Sequence, residues 1–201
     1  MGCLNARKAP LKKVIFIIGG PGSGKGTQCK KISNEFNFEH LSTGNILRNV
    51  VDKKQAPGWQ ELKQKMESGA FVSSSELISF VKEEFKSIDK TILLDGFPRN
   101  KENVDEWNNQ MTNICEVAAV LYFECSTDEM KKRLMGRNEG RSDDNEETIS
   151  KRIDNFNKDT LPVLSEYEKN NKLIRINAEK SVDEIFEDVK SKIKEFKLDQ
   201  K

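Results

Sequence analysis

A glycine-rich run with one lysine directly follows the most apolar segment of the chain. It reads Gly-Gly-Pro-Gly-Ser-Gly-Lys-Gly-Thr over residues 19–27 and comes after Val14–Ile18. Its spacing fits the Gly-x-x-x-x-Gly-Lys part of a P-loop, which stands between a strand and a helix. Glycines let successive backbone N–H groups turn toward phosphate oxygens, and the lysine adds a charge for the β- and γ-phosphates. The predicted phosphate-binding residues are Gly20, Gly22, Ser23, Gly24, Lys25, Gly26 and Thr27.

One position departs from the usual motif, because Gly26 stands where most such loops have Ser or Thr. The hydroxyl on the magnesium side therefore belongs to Thr27, or a water molecule replaces it. A P-loop alone does not distinguish a GTPase, an ATPase motor and a small-molecule kinase. GTPases also need an Asn-Lys-x-Asp motif that reads the base, and the sequence has none.

The rest of the chain alternates short apolar runs with long charged stretches. Near-continuous apolar character is typical of strands covered on both faces. Helical periodicity is seen in Glu146–Lys169 and Val182–Phe196. This alternation predicts a single α/β domain with a parallel, doubly wound sheet. The predicted strands are Val14–Ile18, Phe38–Leu41, Thr91–Leu94, Val117–Phe123 and Leu173–Ile176.

Three helix starts carry the pattern of a capping box, in which a serine and a glutamate satisfy each other's backbone donors. The pairs are Ser73 with Glu76, Ser126 with Glu129, and Ser181 with Glu184. We therefore predict a helix N-terminus at each serine.

Composition narrows the class of protein. The chain has 201 residues, and 34 Lys and Arg against 33 Asp and Glu give a formal net charge of +1. Duplex-binding proteins usually carry a strong basic excess, so we expect no nucleic-acid partner. No apolar run approaches the roughly 20 residues that span a bilayer.

The cysteines form no Cys-x-x-Cys pair, and His40 is the single histidine. These counts exclude a structural zinc site of ordinary spacing. The sequence has no recognisable secretory signal peptide, so a reducing cytosolic compartment is expected. We interpret Cys29, Cys115 and Cys125 as small buried hydrophobic residues. His40 is interpreted as a packed or capping residue rather than a catalyst.

Four motifs, in this order, resemble the adenylate kinase superfamily of nucleoside monophosphate kinases. They are Gly-Gly-Pro-Gly-Ser-Gly-Lys-Gly-Thr-Gln (19–28), His-Leu-Ser-Thr-Gly-Asn-Ile-Leu-Arg (40–48), Leu-Asp-Gly-Phe-Pro-Arg-Asn (94–100) and Gly-Arg-Ser-Asp-Asp-Asn (140–145). The resemblance covers about Lys13 to Phe196. Within the superfamily the chain looks most like eukaryotic UMP-CMP kinases, especially over residues 96–108.

The resemblance implies a P-loop NTPase-type fold, a parallel five-stranded sheet flanked by helices. It also implies a helical segment that binds the nucleoside monophosphate (NMP), at about 42–72, and a short lid at about 137–145. Residues 13–201 would form the kinase domain, and residues 1–12 a flexible basic tail. The expected reaction is transfer of a phosphoryl group from ATP, with Mg²⁺, to UMP or CMP by a monomer.

The resemblance also implies roles for individual residues. Phosphoryl transfer needs convergent cations and a metal ion rather than a side-chain nucleophile. Arg137 and Lys180 would join the P-loop in binding ATP, and Asp95 would organise Mg²⁺ through water. The expected catalytic residues are Lys25, Arg99, Arg141 and Arg152. The expected NMP-binding residues are Thr43, Arg48, Ala70, Phe71, Val72, Gly96, Phe97, Pro98, Arg99, Asn103, Arg141 and Arg152.

Some of these assignments have local alternatives. Arg152 lies beside Lys151 on a highly charged helix, where an ordinary solvated charge is a strong alternative. Arg99 follows Gly-Phe-Pro at a strand end, where α/β enzymes bind ligands. An ordinary solvated charge is therefore a weaker alternative for Arg99 than for Arg152. Asp144 has two alternatives. It caps the following helix with Glu147 as its partner, or one or both of Asp143 and Asp144 pair with lid arginines.

Thr43 and the pair Asn100 and Asn103 indicate different acceptor bases. Thr43 resembles the adenylate kinases, since UMP-CMP kinases usually have alanine there. Asn100 and Asn103 resemble the pyrimidine enzymes, and adenylate kinases typically have glutamine at the second of these positions. A threonine hydroxyl can be satisfied as a helix cap without touching the base. We therefore give Asn103 more weight than Thr43 and expect UMP and CMP as acceptors. The alternative acceptor is AMP. The alternative to an enzyme is a membrane-tethered nucleotide sensor.

The amino terminus resembles an N-myristoylation start, with Gly2, a neighbouring Cys3 and nearby basic residues. Ala6 departs from that pattern, which requires Ser or Thr. One acyl chain binds membranes only marginally, so stable anchoring would need Cys3 or the lysines as well. We expect a cytoplasmic protein, with the nucleus as a further location and membrane association only if Gly2 is acylated.

Overall fold

The computed structural model describes residues 10–136 and 145–200. Residues 1–9 of the predicted tail, the acylation prediction at Gly2 and Cys3, and nearly all of the predicted lid therefore lie outside the described residues. Arg137, Arg141, Asp143 and Asp144 do so as well. Lys12, which the prediction placed in the tail, is instead the first residue of a strand. Among the described helices, none combines the length and the apolar character that crossing a bilayer requires.

Five parallel strands form one sheet in the order β2-β3-β1-β4-β5. The five predicted strands are thus confirmed, each to within a few residues. Asp95 pairs in register with Ile17 on one side and with Ser42 on the other, so three strands end at one edge. The strands are β1 (Lys12–Gly19), β2 (Glu39–Ser42), β3 (Ile92–Asp95), β4 (Cys115–Glu124) and β5 (Leu173–Asn177).

Helices connect the strands and cover both faces of the sheet. They are α1 (Lys25–Phe36), α2 (Thr43–Asp52), α3 (Trp59–Glu67), α4 (Ser74–Phe85), α5 (Lys101–Gln110), α6 (Thr127–Met135), α7 (Glu146–Asn155), α8 (Leu164–Lys169) and α9 (Val182–Glu195). The helical periodicity seen over Glu146–Lys169 is confirmed, but the segment is not one regular α-helix. A π-helical segment (Phe156–Thr160) and a 3₁₀ turn (Leu161–Val163) separate α7 from α8. Pro162, which has no backbone N–H, lies in that 3₁₀ turn.

The central strand β1 contributes to two hydrophobic cores, one on each face of the sheet. Val14, Phe16 and Ile18 face one core, and Ile15 and Ile17 face the other. Because successive side chains of a strand point to opposite faces, a strand buried on both sides must be apolar throughout. The near-continuous apolar pattern is therefore explained by burial on both faces.

Helix caps agree only in part with the predicted capping boxes. Ser181 and Glu184 form the complete box at α9, and Ser126 accepts a hydrogen bond from the backbone of Glu129 at α6. Ser73 is the N-cap of α4, so the predicted helix start is confirmed, but its side chain makes no cap bond and the predicted box is wrong there. The start of α4 is held instead by a tertiary contact, because the buried Ser74 accepts a hydrogen bond from Asn103.

Two further cap interpretations are wrong. The N-cap of α7 is Asn145, whose side chain accepts from the backbone N–H of Thr148 at 2.9 Å, so Asp144 is not the cap. The N-cap of α2 is Ser42, which precedes Thr43. Thr43 is instead buried inside the first turn.

The cysteine prediction is confirmed for Cys29 and Cys115, which are buried free thiols, whereas Cys125 is half-buried. Burial, with a further contribution from Asp95, raises the pKa of the Cys29 thiol well above its ordinary value. Cys29 is therefore neutral at physiological pH and packs like an apolar side chain.

Candidate active site

A cleft of about 360 Å³ opens at the carboxyl ends of β1 and β3. The P-loop after β1 forms one wall, and α2 with the segment 66–72 forms the other. Residues of α7 and of the π-helical segment also line the cleft. Ligands of α/β proteins bind at this edge of the sheet, so the fold and the cleft point to the same site.

The P-loop has the backbone shape that phosphate binding requires. Gly22 has a φ of +81°, which side chains disfavour, and a Cβ there would lie 2.7 Å from the carbonyl oxygen of Met130. Gly24 is the N-cap of α1, so Lys25 and Gly26 occupy the first turn of a helix whose N-terminus faces the cleft. The positive end of the helix dipole therefore adds to the charge of Lys25.

Lys25 is held within the cleft, where its Nζ donates to the carbonyl oxygen of Gly20 at 3.2 Å. Desolvation lowers the pKa of Lys25 from 10.5 to about 8. The charge of Asp95 opposes this shift, and the charges of Arg152 and Arg99 add to it. A phosphate chain would reverse the balance, because its negative charge favours the ammonium form.

This lowered pKa predicts a pH dependence of ATP use. Without nucleotide, Lys25 loses its proton as the pH rises through about 8. We expect kcat/KM for ATP to be level below that pH and to fall by about tenfold per pH unit above it. Steady-state rates across this range measure the effect. The Lys25→Arg variant stays charged and should lack this fall, whatever its absolute rate. A level wild-type profile to about pH 10 would contradict the assignment of this lysine.

Asp95 ends β3 and lies at the floor of the cleft, with its side chain 9% exposed. Its Oδ2 lies 3.2 Å from Nε2 of His40, while Oδ1 is buried without a hydrogen-bond partner among the described residues. Burial alone would raise the pKa of Asp95. The His40 hydrogen bond and the charges of Lys25, His40 and Arg99 outweigh it and hold the pKa below its usual value. A carboxylate oxygen without a partner fits a hydrated Mg²⁺.

Three arginines line the same cleft. They are Arg48 from α2, Arg99 from the loop after β3 and Arg152 from α7. Arg99 donates from Nε to the carbonyl oxygen of Gly96 at 2.8 Å and from Nη2 to Oγ1 of Thr43 at 3.2 Å. Gly96 has a φ of +79°, and a Cβ there would lie 3.1 Å from that hydroxyl, so a side chain at Gly96 would disturb the contact.

The segment 66–72 lines the cleft and is tied to α7. Ala70, Phe71 and Val72 line the cleft as the resemblance implied. Asn155 donates from Nδ2 to the carbonyl oxygen of Gly69 at 3.1 Å. Thr148 donates from its hydroxyl to the carbonyl oxygen of Glu67 at 3.3 Å.

The family model described as adenylate kinase matches residues 17–172, which is most of the chain and includes the P-loop, α2, the segment 66–72 and α7. The chain belongs to the adenylate kinase family. UMP-CMP kinase 1 of Oryza sativa subsp. japonica is 44% identical over 90% of this chain and 75% of its own length. UMP-CMP kinase of Danio rerio is 38% identical over 89% of this chain and 95% of its own. Adenylate kinase 1 of Schistosoma mansoni is 42% identical over 94% of this chain and 97% of its own.

This adenylate kinase family member brings most of the predicted site residues together. Those that line the cleft are Gly22, Gly24, Lys25, Gly26, Thr27, Arg48, Ala70, Phe71, Val72, Asp95, Gly96, Pro98, Arg99 and Arg152. Gly20 and Ser23 lie buried in the P-loop beneath it. Thr43 is buried, and its hydroxyl donates toward the carbonyl oxygens of Asp95 and Gly96, both at 3.1 Å.

Three predicted residues have other surroundings. Phe97 is fully buried in the core, with its ring centroid 5.2 Å from that of Phe16. Asn103 is 2% exposed, with its amide hydrogen-bonded to neighbouring groups. Lys180 forms an exposed ion pair with Asp188 at 2.6 Å.

The sequence interpretation missed His40, which lines the cleft beside Asp95. It also missed Asn45, which accepts from Nη2 of Arg48 at 2.6 Å. One signal was available for His40, because a histidine two residues before the end of β2, which pairs with β3, must lie near the end of β3. Only the strand order provides that information.

Proposed function

We propose that the protein transfers the γ-phosphoryl group of ATP to UMP and CMP, giving ADP with UDP or CDP. The single observation that carries this proposal is the convergence of Lys25, Arg48, Arg99 and Arg152 on one cleft that also contains Asp95. Two phosphate chains brought together carry a large negative charge, and such a ring of cations neutralises it. The relatives named UMP-CMP kinase support the choice of acceptor.

In the proposed reaction, an oxygen of the acceptor phosphate forms a bond to the γ-phosphorus. The bond from that phosphorus to the β–γ bridging oxygen breaks, and ADP leaves. The P-loop N–H groups and Lys25 hold the donor phosphates, while Arg48 and Arg99 hold the acceptor phosphate. Arg152, which lines the same cleft, would stabilise the group in transfer. No side chain forms a covalent bond, so catalysis is positioning and charge stabilisation.

The donor is proposed to be ATP with Mg²⁺. Asp95 would hold the ion through water, using the oxygen that has no described partner, and Thr27 offers the neighbouring hydroxyl. The ion, when bound, would supply positive charge that offsets the negative charge of the donor phosphates. His40 keeps the other carboxylate oxygen of Asp95 engaged, which fixes the direction of the free one.

The acceptor base is proposed to be a pyrimidine because the Thr43 hydroxyl is already engaged by backbone carbonyl groups. The Asn103 amide is fixed, since Nδ2 donates to Ser74 at 2.7 Å and Oδ1 accepts from the backbone of Arg99 at 3.0 Å. Turning this amide would cost both bonds. We propose that its second N–H donates to the C2 carbonyl group that uracil and cytosine share and adenine lacks. Asn103 is 2% exposed and does not line the cleft, so this contact requires the bound base to reach the buried amide.

The experiment is a coupled ADP-release assay with CMP, UMP and AMP as acceptors. We expect the wild type to have a higher kcat/KM for CMP and UMP than for AMP. The Asn103→Gln variant should shift this preference toward AMP by about tenfold, because the longer amide leaves the position set by Ser74 and Arg99. Asn109→Gln, an exposed change on the same helix, is the matched control and should leave the preference unchanged.

A second candidate is phosphorylation of AMP. Thr43 and the similarity to the enzyme named adenylate kinase 1 favour it. A higher kcat/KM for AMP than for either pyrimidine would select this candidate and reject our interpretation of Asn103. Nucleotide binding without turnover of any acceptor would instead favour the sensor.

A further inference from the structure

Three side chains with metal-binding atoms meet beneath the cleft. Cys29 comes from α1, His40 from β2 and Asp95 from β3, and their ligand atoms all lie within 4.8 Å of one another. Spacing along the sequence gave no sign of this cluster, because the three residues belong to different elements.

The cluster has an oxygen atom with an unused lone pair and a route from solvent. Oδ1 of Asp95 is buried without a hydrogen-bond partner among residues 10–136 and 145–200. Leaving such a group unpaired is costly, so a ligand there removes a penalty. Cys29 is fully buried, but His40 and Asp95 line the open cleft. An ion can therefore enter from the cleft and reach the thiol behind them.

The chemistry of the three ligands selects the metal. Thiolate, imidazole and carboxylate together suit Zn²⁺, whereas Mg²⁺ prefers oxygen ligands. Ligand atoms around tetrahedral zinc lie roughly 3.3–3.8 Å apart, so the side chains need only small shifts. The thiol S–H bond breaks as the Zn–S bond forms, and the proton passes to solvent. One thiolate and one carboxylate then balance the charge of the ion, which suits a buried site.

We propose that Cys29, His40 and Asp95 bind one Zn²⁺, with water from the cleft as the fourth ligand, and that this ion inhibits phosphoryl transfer. Inhibition rests on the proposed function, because Asp95 cannot hold the magnesium of ATP while it is a zinc ligand. Binding itself rests only on the cluster.

Binding is tested on the full chain with Co²⁺ and Zn²⁺. We expect one Co²⁺ per chain, with a thiolate-to-cobalt charge-transfer band, and displacement by Zn²⁺. Because His40 is the single histidine, its imidazole NMR signals should shift on addition of Zn²⁺. Cys29→Ala should remove the charge-transfer band and weaken zinc binding by at least about tenfold. Cys115→Ala and Cys3→Ala are the matched controls and should bind as the wild type does.

Three results would overturn the proposed site: unshifted His40 signals at saturating zinc, a cobalt spectrum without the thiolate band, or a Cys29→Ala variant that binds like the wild type. Circular dichroism and thermal unfolding establish that the variant is folded. Should Cys29→Ala fail to fold, His40→Asn provides a second variant, and it should also lose at least about tenfold in zinc affinity.

The inhibitory part is tested by turnover with Mg·ATP at buffered free zinc, each variant being compared with its own zinc-free rate. We expect zinc to inhibit the wild type over the concentration range in which His40 shifts, and to inhibit Cys29→Ala at least about tenfold less effectively. Zinc bound at the cluster with an unchanged rate would overturn inhibition. A protein without any turnover would contradict the proposed function, while the cobalt and NMR results would still decide the site.

Discussion

Replacing Lys25 by methionine is expected to lower kcat by about 10²–10³-fold while leaving the fold intact. Lys25 lies at the cleft and donates only to the carbonyl oxygen of Gly20 among its described hydrogen bonds, so the core does not depend on it. Its charge acts on the phosphoryl group in transfer, where stabilisation is specific to the transition state. Turnover and circular dichroism, measured on the same preparation, check both parts.

Lys31→Met is the matched control for this variant. Lys31 lies on the same helix α1 but forms an ion pair with Asp183 away from the cleft. It should retain near-native turnover, because partly exposed ion pairs contribute little to stability. Near-native turnover of Lys25→Met itself would show that this lysine does not act on the transferred phosphate.

Replacing Arg99 by lysine is expected to raise KM for the monophosphate and to lower kcat/KM by about 10²-fold. The charge is kept, so the loss measures the planar fork of the guanidinium group. Arg99 uses Nε on Gly96 and Nη2 on Thr43, and this anchoring orients the side chain in the cleft. An ammonium group cannot reproduce both bonds and also bind a phosphate in two places.

The control for this variant is Arg175→Lys. Arg175 pairs with Glu124 and Glu168 on the outer strand β5 and does not line the cleft. Its kinetics should match those of the wild type. If Arg99→Lys changed KM for ATP and left KM for the monophosphate unaltered, Arg99 would belong to the donor side instead.

The parts of the fold that follow from local pattern were predictable. The strands are apolar because both faces of the sheet are covered, and Val14–Ile18 belongs to two cores at once. The P-loop was recognisable because glycines are required where the backbone is crowded, as the approach of Gly22 to Met130 shows. No local sequence pattern encodes the order of the strands in the sheet. The proximity of residues from different strands therefore could not be predicted either.

The same limit explains the errors at the site. His40 and Asp95 are far apart in sequence and meet only because β2 pairs with β3. Ser73 has the sequence of a cap, but a buried bond between Ser74 and Asn103 determines how α4 begins. Asn103 was expected to select the acceptor base, and the contacts that fix its amide come from other elements and loops, because Nδ2 donates to Ser74 and Oδ1 accepts from the backbone of Arg99. In each case a tertiary contact prevailed over a local preference.

The two hydrogen bonds from α7 to the segment 66–72 have a thermodynamic consequence. Thr148 and Asn155 hold the carbonyl groups of Glu67 and Gly69, and Arg152 lies on the same helix between them. A ligand that changes the position of this segment therefore also changes the free energy of the position of α7, which carries Arg152. Linkage requires this coupling to be reciprocal. If a monophosphate raises the affinity for ATP by some factor, ATP must raise the affinity for the monophosphate by the same factor.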